Sequence, residues 1–367
     1  MNTRSKKIYS FQSLRAFAIF AIFLGHLSYF QKIDELSALF LHISYSRFPV
    51  NFFFVLSGFI MSYIYGRMGD SLKWGSFVKK RYAKIYIPYL FCLIIGIFRY
   101  YHNFFHDEGI PFFIFRLVVS IPVFQAAIPY GNISHSFNGV AWFLSCTIIF
   151  YMLTPWLLSI NNWIRQKKHM AVICYMLNLG IIGICYMVFR YLQYYRFSEF
   201  QLSLVYSTVY IRIFSFLAGH LCFTIMEELR EADFHISNLE LPLTLLSLLW
   251  WFFAGIIPLP MVFQELISMV LSSFLIIVFS FDEGLVSDNL NKQKWLLFFG
   301  DISLEFYLIH YLVINIAIDM IESLLTKNVL HGVFSAIAFF IISYSLAVIL
   351  HYMSSKFYNS VINAKNR

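Results

Sequence analysis

Apolar positions along the chain fall in long runs separated by short polar stretches. A helix needs about 20 mainly apolar residues to cross the hydrocarbon core of a bilayer. Ten runs meet that demand: 8–30, 49–66, 85–101, 139–160, 170–189, 203–225, 241–257, 261–281, 295–320 and 333–354. The pattern predicts an all-α, polytopic transmembrane bundle of about ten spans, built as one domain over 1–367. An eleventh stretch, 111–128, is apolar but carries Arg116 and Pro122, so its assignment waits on the charge distribution. The first run is too long for the apolar region of a signal peptide, and Arg15 interrupts it.

Composition narrows the class further. The 367 residues are 60% hydrophobic, 20% aromatic and only 13% charged, with mean hydropathy +0.70. A soluble domain carries about 25% charged residues, so that class is excluded, and disorder with it. The five cysteines all fall within predicted spans, and none forms a CxxC pair. They read as small buried hydrophobes, not as disulfides or metal ligands.

The net charge of +8 would suggest nucleic acid in a soluble protein. Here its distribution is an orientation signal. With 111–128 kept out of the count of spans, eighteen Lys and Arg residues fall on one face and seven on the other. The positive-inside rule then places both termini in the cytoplasm. Letting 111–128 span would move the RQKK loop outside, so 102–138 reads as an outer loop with an interfacial or re-entrant segment.

Charged side chains inside a span cost at least a few kcal/mol, which makes each one a site candidate. Arg15 and His26 share the first run, eleven residues apart. At 100° per residue they project from one face, separated axially by ~16 Å. A neutral imidazole can act as general base toward a hydroxyl, and arginine offers a fork of donors suited to phosphate. The separation is comparable to the reach of a pantetheine arm between nucleotide phosphates and thioester. The competing reading is a snorkelling arginine and a histidine bonded to a neighbouring helix.

Other polar positions are open to both kinds of reading. Lys79, Lys80, Arg81 and Lys84 cluster at the start of the third run, as a stop-transfer signal or as phosphate ligands. Asn51 could orient a substrate hydroxyl, whereas Ser57 and Gly58 beside it serve close helix packing. Arg212 needs an acidic partner, for which Glu265 and Glu305 are available. Glu305 is expected to pair with an arginine and shape a polar cavity. His310, five residues on, does not share its face and reads as a histidine bonded to a carbonyl or as a cavity residue.

Several of these motifs, in order, resemble the acyltransferase-3 family of integral membrane acyltransferases. QSLRAFAIFAIFLGH is similar to the family's Arg-x10-His signature, and NFFFVLSGFIMS to its second-span motif, with Asn51 where many members carry an acid. RYAKIYIPY resembles the basic Arg-x-x-Arg segment, with Lys84 in the second basic place. AWFLSCTIIFYMLTP, containing Trp142, resembles the Trp-Ser-Leu segment, YIRIFSFLAGHL the later Arg segment, and GDISLEFYLIH the late Gly-x-Ile-Ser…His motif. Cys146 and Thr147 stand where many members have glutamates.

The resemblance implies an acyltransferase of the bacterial cytoplasmic membrane, in contact with its lipids. Acetyl-CoA or another acyl-CoA would be co-substrate, with no permanent cofactor or metal. The acceptor would be a hydroxyl of an extracytoplasmic or lipid-linked glycan. On that analogy His26 is the catalytic base or transiently carries the acyl group. Arg15, Arg81 and Lys84 would hold donor phosphates, while Asn51, Trp142, Arg212, Glu305 and His310 would shape the cavity or orient substrate. No soluble esterase-like domain follows the tenth run, so action alone or with a separate partner is expected. A polysaccharide or lipid-linked precursor transporter is the alternative, although the chain lacks the internal repeats of that class.

Overall fold

The computed structural model describes residues 7–66, 72–107, 109–194 and 206–363. Positions 203–205 of the sixth predicted run lie outside them, as do the basic residues Arg4, Lys6, Arg67, Arg196, Lys365 and Arg367. Thirteen helices of eight residues or more carry the bundle. They are α1 (Ser10–Gly25), α2 (Asp34–Ile43), α3 (Arg47–Tyr65), α4 (Trp74–Asp107), α5 (Ile110–Ser120), α6 (Trp142–Arg165) and α7 (Met170–Tyr194). After these come α8 (Val209–Glu231), α9 (Glu240–Phe253), α10 (Met261–Phe279), α11 (Lys294–Asp301), α12 (Ser303–Leu325) and α13 (Val329–Asn363).

Among the described residues, nine helical stretches are long and apolar enough to cross a membrane. This is an all-α polytopic bundle, and two elements depart from the sequence reading. The run 241–257 forms only the 14-residue α9, about 21 Å at 1.5 Å per residue. It falls short of a full apolar span, yet ties distant parts together. Glu240 at its start accepts the Ser287 N–H at 2.8 Å, and the Phe252 carbonyl near its end bonds His42 at 3.1 Å. The run 295–320 is not continuous, because the chain breaks at Ile302 between α11 and α12. Within 111–128 the helix α5 has 11 residues, too few to cross. Its Arg116 is buried and donates to Ser136 Oγ at 2.8 Å and to the Asn132 carbonyl, so hydrogen bonds tie it to the loop it anchors.

With lipid outside as apolar as the helix surface, bundle cohesion comes from close packing at small residues. The tightest case joins α3 and α8. A Cβ on Gly58 would overlap the Phe216 carbonyl, and one on Gly219 would overlap the Val55 carbonyl. The two helices therefore meet backbone to backbone through reciprocal glycines. Beside them lies a buried polar chain in which Thr224 donates to Asn161 at 3.0 Å, Asn161 to Ser62 at 3.3 Å, and Ser62 bonds His220 at 2.7 Å. Gly300 does the same for α1 and α11, where a Cβ would strike the Gln12 carbonyl.

This packing gives an uneven response to added volume. Gly219→Val should destabilise the bundle by about 1–3 kcal/mol, because backbone has to move. Gly183→Ala on α7, with open space around its Cα, should be neutral or stabilising by up to ~1 kcal/mol. Thermal unfolding of the two detergent-solubilised variants, followed by size-exclusion chromatography, compares them directly.

Candidate active site

One cavity of about 430 Å³ opens between α1, α3, α4, α6 and the start of α12. Arg15, Arg81 and Lys84 all line it. Arg15 Nη2 donates to Ser303 Oγ at 2.7 Å and Nη1 to Gln12 at 3.3 Å. The break between α11 and α12 supplies that serine, which is buried at the first position of α12. Arg81 donates to Tyr65 Oη at 3.0 Å and lies over the Tyr65 and Tyr151 rings at 5.2 and 5.8 Å. Among the described residues, none of the three cations has a carboxylate within ion-pair distance. Lys7, at the mouth, is 3.7 Å from Asp301. The cavity is thus a concentrated positive site with hydroxyl and amide neighbours, and its other walls are apolar (Phe11, Phe53, Ile60, Phe143).

His26 is not inside helix α1 but caps it, with φ −95° and ψ 0°. It does not line the cavity, whose wall on this helix ends one turn earlier at Ile22. The imidazole instead meets α12, where His26 Nδ1 and His310 Nε2 are 3.0 Å apart. His310 is fully buried, and its Nδ1 lies 2.9 Å from the Phe306 carbonyl. A carbonyl only accepts, so Nδ1 of His310 must carry a proton. In a neutral pair, His310 Nε2 is then the acceptor and His26 Nδ1 the donor. That leaves the Nε2 lone pair of His26 free. The half-buried His26 ring packs edge-on to Tyr311 at 5.2 Å, while Phe306 stacks on His310 at 5.6 Å. Tyr307 and Ile22 stand where the cavity approaches the pair, Tyr307 lining the cavity with its ring 5.9 Å from that of His310.

Arg212 is fully buried and pairs with Glu265, one of the two acids the sequence offered. Its Nε donates to the Tyr206 carbonyl at 2.7 Å, and the guanidinium lies 4.9 Å from the Tyr206 ring and 5.8 Å from the buried Trp142. Arg47 approaches the same carboxylate at 3.4 Å. Asn51 donates to Glu265 at 2.7 Å and to the Arg47 carbonyl at 3.1 Å, and accepts from Ser215 at 2.7 Å. Both of its N–H donors are thus engaged, and the side chain is fully buried. Asn51, Trp142 and Arg212 form a buried brace off the cavity wall.

Glu305 departs from expectation as well. Among the described residues it pairs with no arginine but lies 3.0 Å from His351 Nδ1, and Ser354 Oγ donates to it at 3.5 Å, linking α12 to α13. Facing α13 turns it away from the cavity wall. Sequence reasoning missed His351, although a histidine in the apolar run VILHYM was a visible signal. Ser303 and Tyr151 gave no signal, since neither residue type is unusual in a span.

A family model described as an acyltransferase domain matches residues 8–348. The chain belongs to the acyltransferase-3 family. The matched region holds Arg15, His26, Arg81, Lys84 and His310, whereas His351 lies beyond its end. Among curated relatives, acyltransferase MdmB of Streptomyces mycarofaciens is 30% identical over 197 residues, covering 47% of each chain. The chain spans about half the length of the curated relative it matches. No solved structure matches.

The brace makes a prediction about stability. Glu265→Ala strands the Arg212 charge among apolar neighbours and should cost about 3–5 kcal/mol, lowering the folded yield. Replacing both residues, as Arg212→Met with Glu265→Leu, should restore much of that yield. Monodisperse protein recovered after membrane extraction measures both.

Proposed function

We propose that the protein transfers an acyl group, acetyl in the first instance, from acyl-CoA to a hydroxyl of an extracytoplasmic or lipid-linked glycan. The observation that carries the donor side is the convergence of Arg15, Arg81 and Lys84 on one cavity with no carboxylate partner among the described residues. An unmatched cation within a bundle is costly unless an anion or water completes it, and arginine suits phosphate oxygens. The apolar walls leading inward from that site fit a pantetheine arm. The glycan acceptor and the bacterial cytoplasmic membrane rest on the family resemblance, and the placement of both chain ends on its inner side rests on the distribution of basic residues.

The chemistry follows from the histidine pair. The acceptor O–H hydrogen-bonds to His26 Nε2, and its oxygen attacks the thioester carbon as the proton passes to that nitrogen. The new C–O bond forms, the C–S bond breaks, and the proton moves to the departing thiolate, giving ester and free thiol. His310 acts through His26. Held by the Phe306 carbonyl, it fixes the His26 tautomer and accepts the proton on Nδ1 into a hydrogen bond as the ring gains charge. Arg15 lies in the first half of α1 and the histidine caps its C-terminal end, so one helix would place both the phosphates and the reacting carbon.

Two variants separate these roles. His26→Ala should lower acetyl transfer by at least about 10²-fold, the span of general-base contributions, with membrane level unchanged. Arg81→Ala should raise KM for acetyl-CoA by about tenfold or more, since hydrogen bonds to charged groups contribute roughly 1.5–3 kcal/mol. Mass spectrometry of surface glycans from cells with and without each variant reads the first through loss of one acetyl unit. Transfer kinetics in proteoliposomes read the second. Full acetylation by His26→Ala would refute the mechanism.

A further inference from the structure

A second cavity of about 350 Å³ adjoins the first, and Lys7, Ile8 and Tyr63 line both. It is closed by the turn after α8 and the loop after α10. Its chemistry differs from the first. Phe234 is 59% exposed in a polar turn, directly after Asp233 in the left-handed region at φ 56°. Arg230 donates to the Ser280 carbonyl at 2.7 Å and lies 5.0 Å over the Phe281 ring. Among the described residues it has no carboxylate within ion-pair distance, although Asp233, Asp282 and Glu283 line the same cavity. An aromatic face, the two cations Lys7 and Arg230, and three carboxylates thus surround one space. That set matches a base to stack, a phosphate to neutralise, and amine or hydroxyl donors to accept.

We propose that this second cavity binds the adenosine 3′-phosphate end of acyl-CoA, an assignment that rests on the donor reading above. The shared wall at Lys7 and Ile8 is the start of the chain segment leading into α1, and Arg15 follows two turns later, about 12 Å along the helix. The diphosphate then lies on Arg15, Arg81 and Lys84, with the nucleoside outward over Phe234 and the 3′-phosphate toward Arg230 and Lys7. The long donor is held at both ends of its polar half, and only the pantetheine arm enters the bundle.

The test compares two donors and one fragment on the purified full-length protein. Phe234→Ala removes an exposed ring, so folding is unaffected. It should raise KM for acetyl-CoA about tenfold, the effect of one lost base–aromatic stack, with kcat unchanged. KM for acetyl phosphopantetheine, which lacks the nucleoside, should not move. Calorimetry should show adenosine 3′,5′-bisphosphate binding to the wild type and weaker binding to Phe234→Ala, whereas inorganic phosphate should be indifferent to the substitution. An unchanged KM for acetyl-CoA, or equal rises for both donors, overturns the assignment while the donor reading stands. Failure of the wild type to bind either acetyl-CoA or the bisphosphate overturns both.

Discussion

Arg212 and Glu265 meet where α3, α8 and α10 converge, and a buried pair of this kind is a constraint before it is a source of stability. Both ions leave water, so their attraction offsets desolvation only if the remaining donors and acceptors are met. Glu265 gathers Arg47 and Asn51 as well as Arg212, and Asn51 in turn fixes Ser215. Satisfying one intramembrane arginine therefore sets the rotation of three helices about their axes. The reciprocal glycines of α3 and α8 lie one to two turns along the same helices and set their separation. Rotation and spacing together hold α3 as a rigid wall of the cavity.

Against that matched arginine, the cavity cations stand out by what they lack. Arg15 is held by a serine and a glutamine, and Arg81 by a tyrosine hydroxyl and two ring faces. Neutral partners orient a guanidinium without cancelling its charge. The same residue type thus serves two ends in one bundle, and the partner decides which. On the proposed reading, Arg212 with its carboxylate braces, whereas Arg15 and Arg81 would receive an anion.

Much of this was legible in the sequence, and the failures have physical causes. Long apolar runs mark spans because the bilayer imposes a length, and nine of the ten predicted runs correspond to helices long enough to cross. The exception, α9, shows that hydropathy measures composition, not where helical geometry stops. Arg15, Arg81 and Lys84 were nameable because charge in or beside a span is rare, yet the hydroxyls that hold Arg15 and Arg81 are common there and invisible. Glu305 was assigned an arginine partner on chemical grounds, but partner choice depends on helix rotation, which a linear pattern does not carry. The pairing of His26 with His310, 284 positions apart, depends on tertiary contact alone.

The aromatic surroundings of the two histidines carry a further consequence. Phe23, Phe306 and Phe340 pack against one another and the first two against His310, at ring separations of 5.5–6.2 Å. A membrane protein that admits a donor from one side and an acceptor from the other risks becoming a wire for protons. A file of water joining Arg15 to His26 would discharge the gradient that the membrane maintains. Phe23 and Phe306 are buried and set an apolar cluster beside His310, which on the proposed reading would oppose such a file. The same phenylalanines that look like ordinary core are, on this arrangement, electrical insulation.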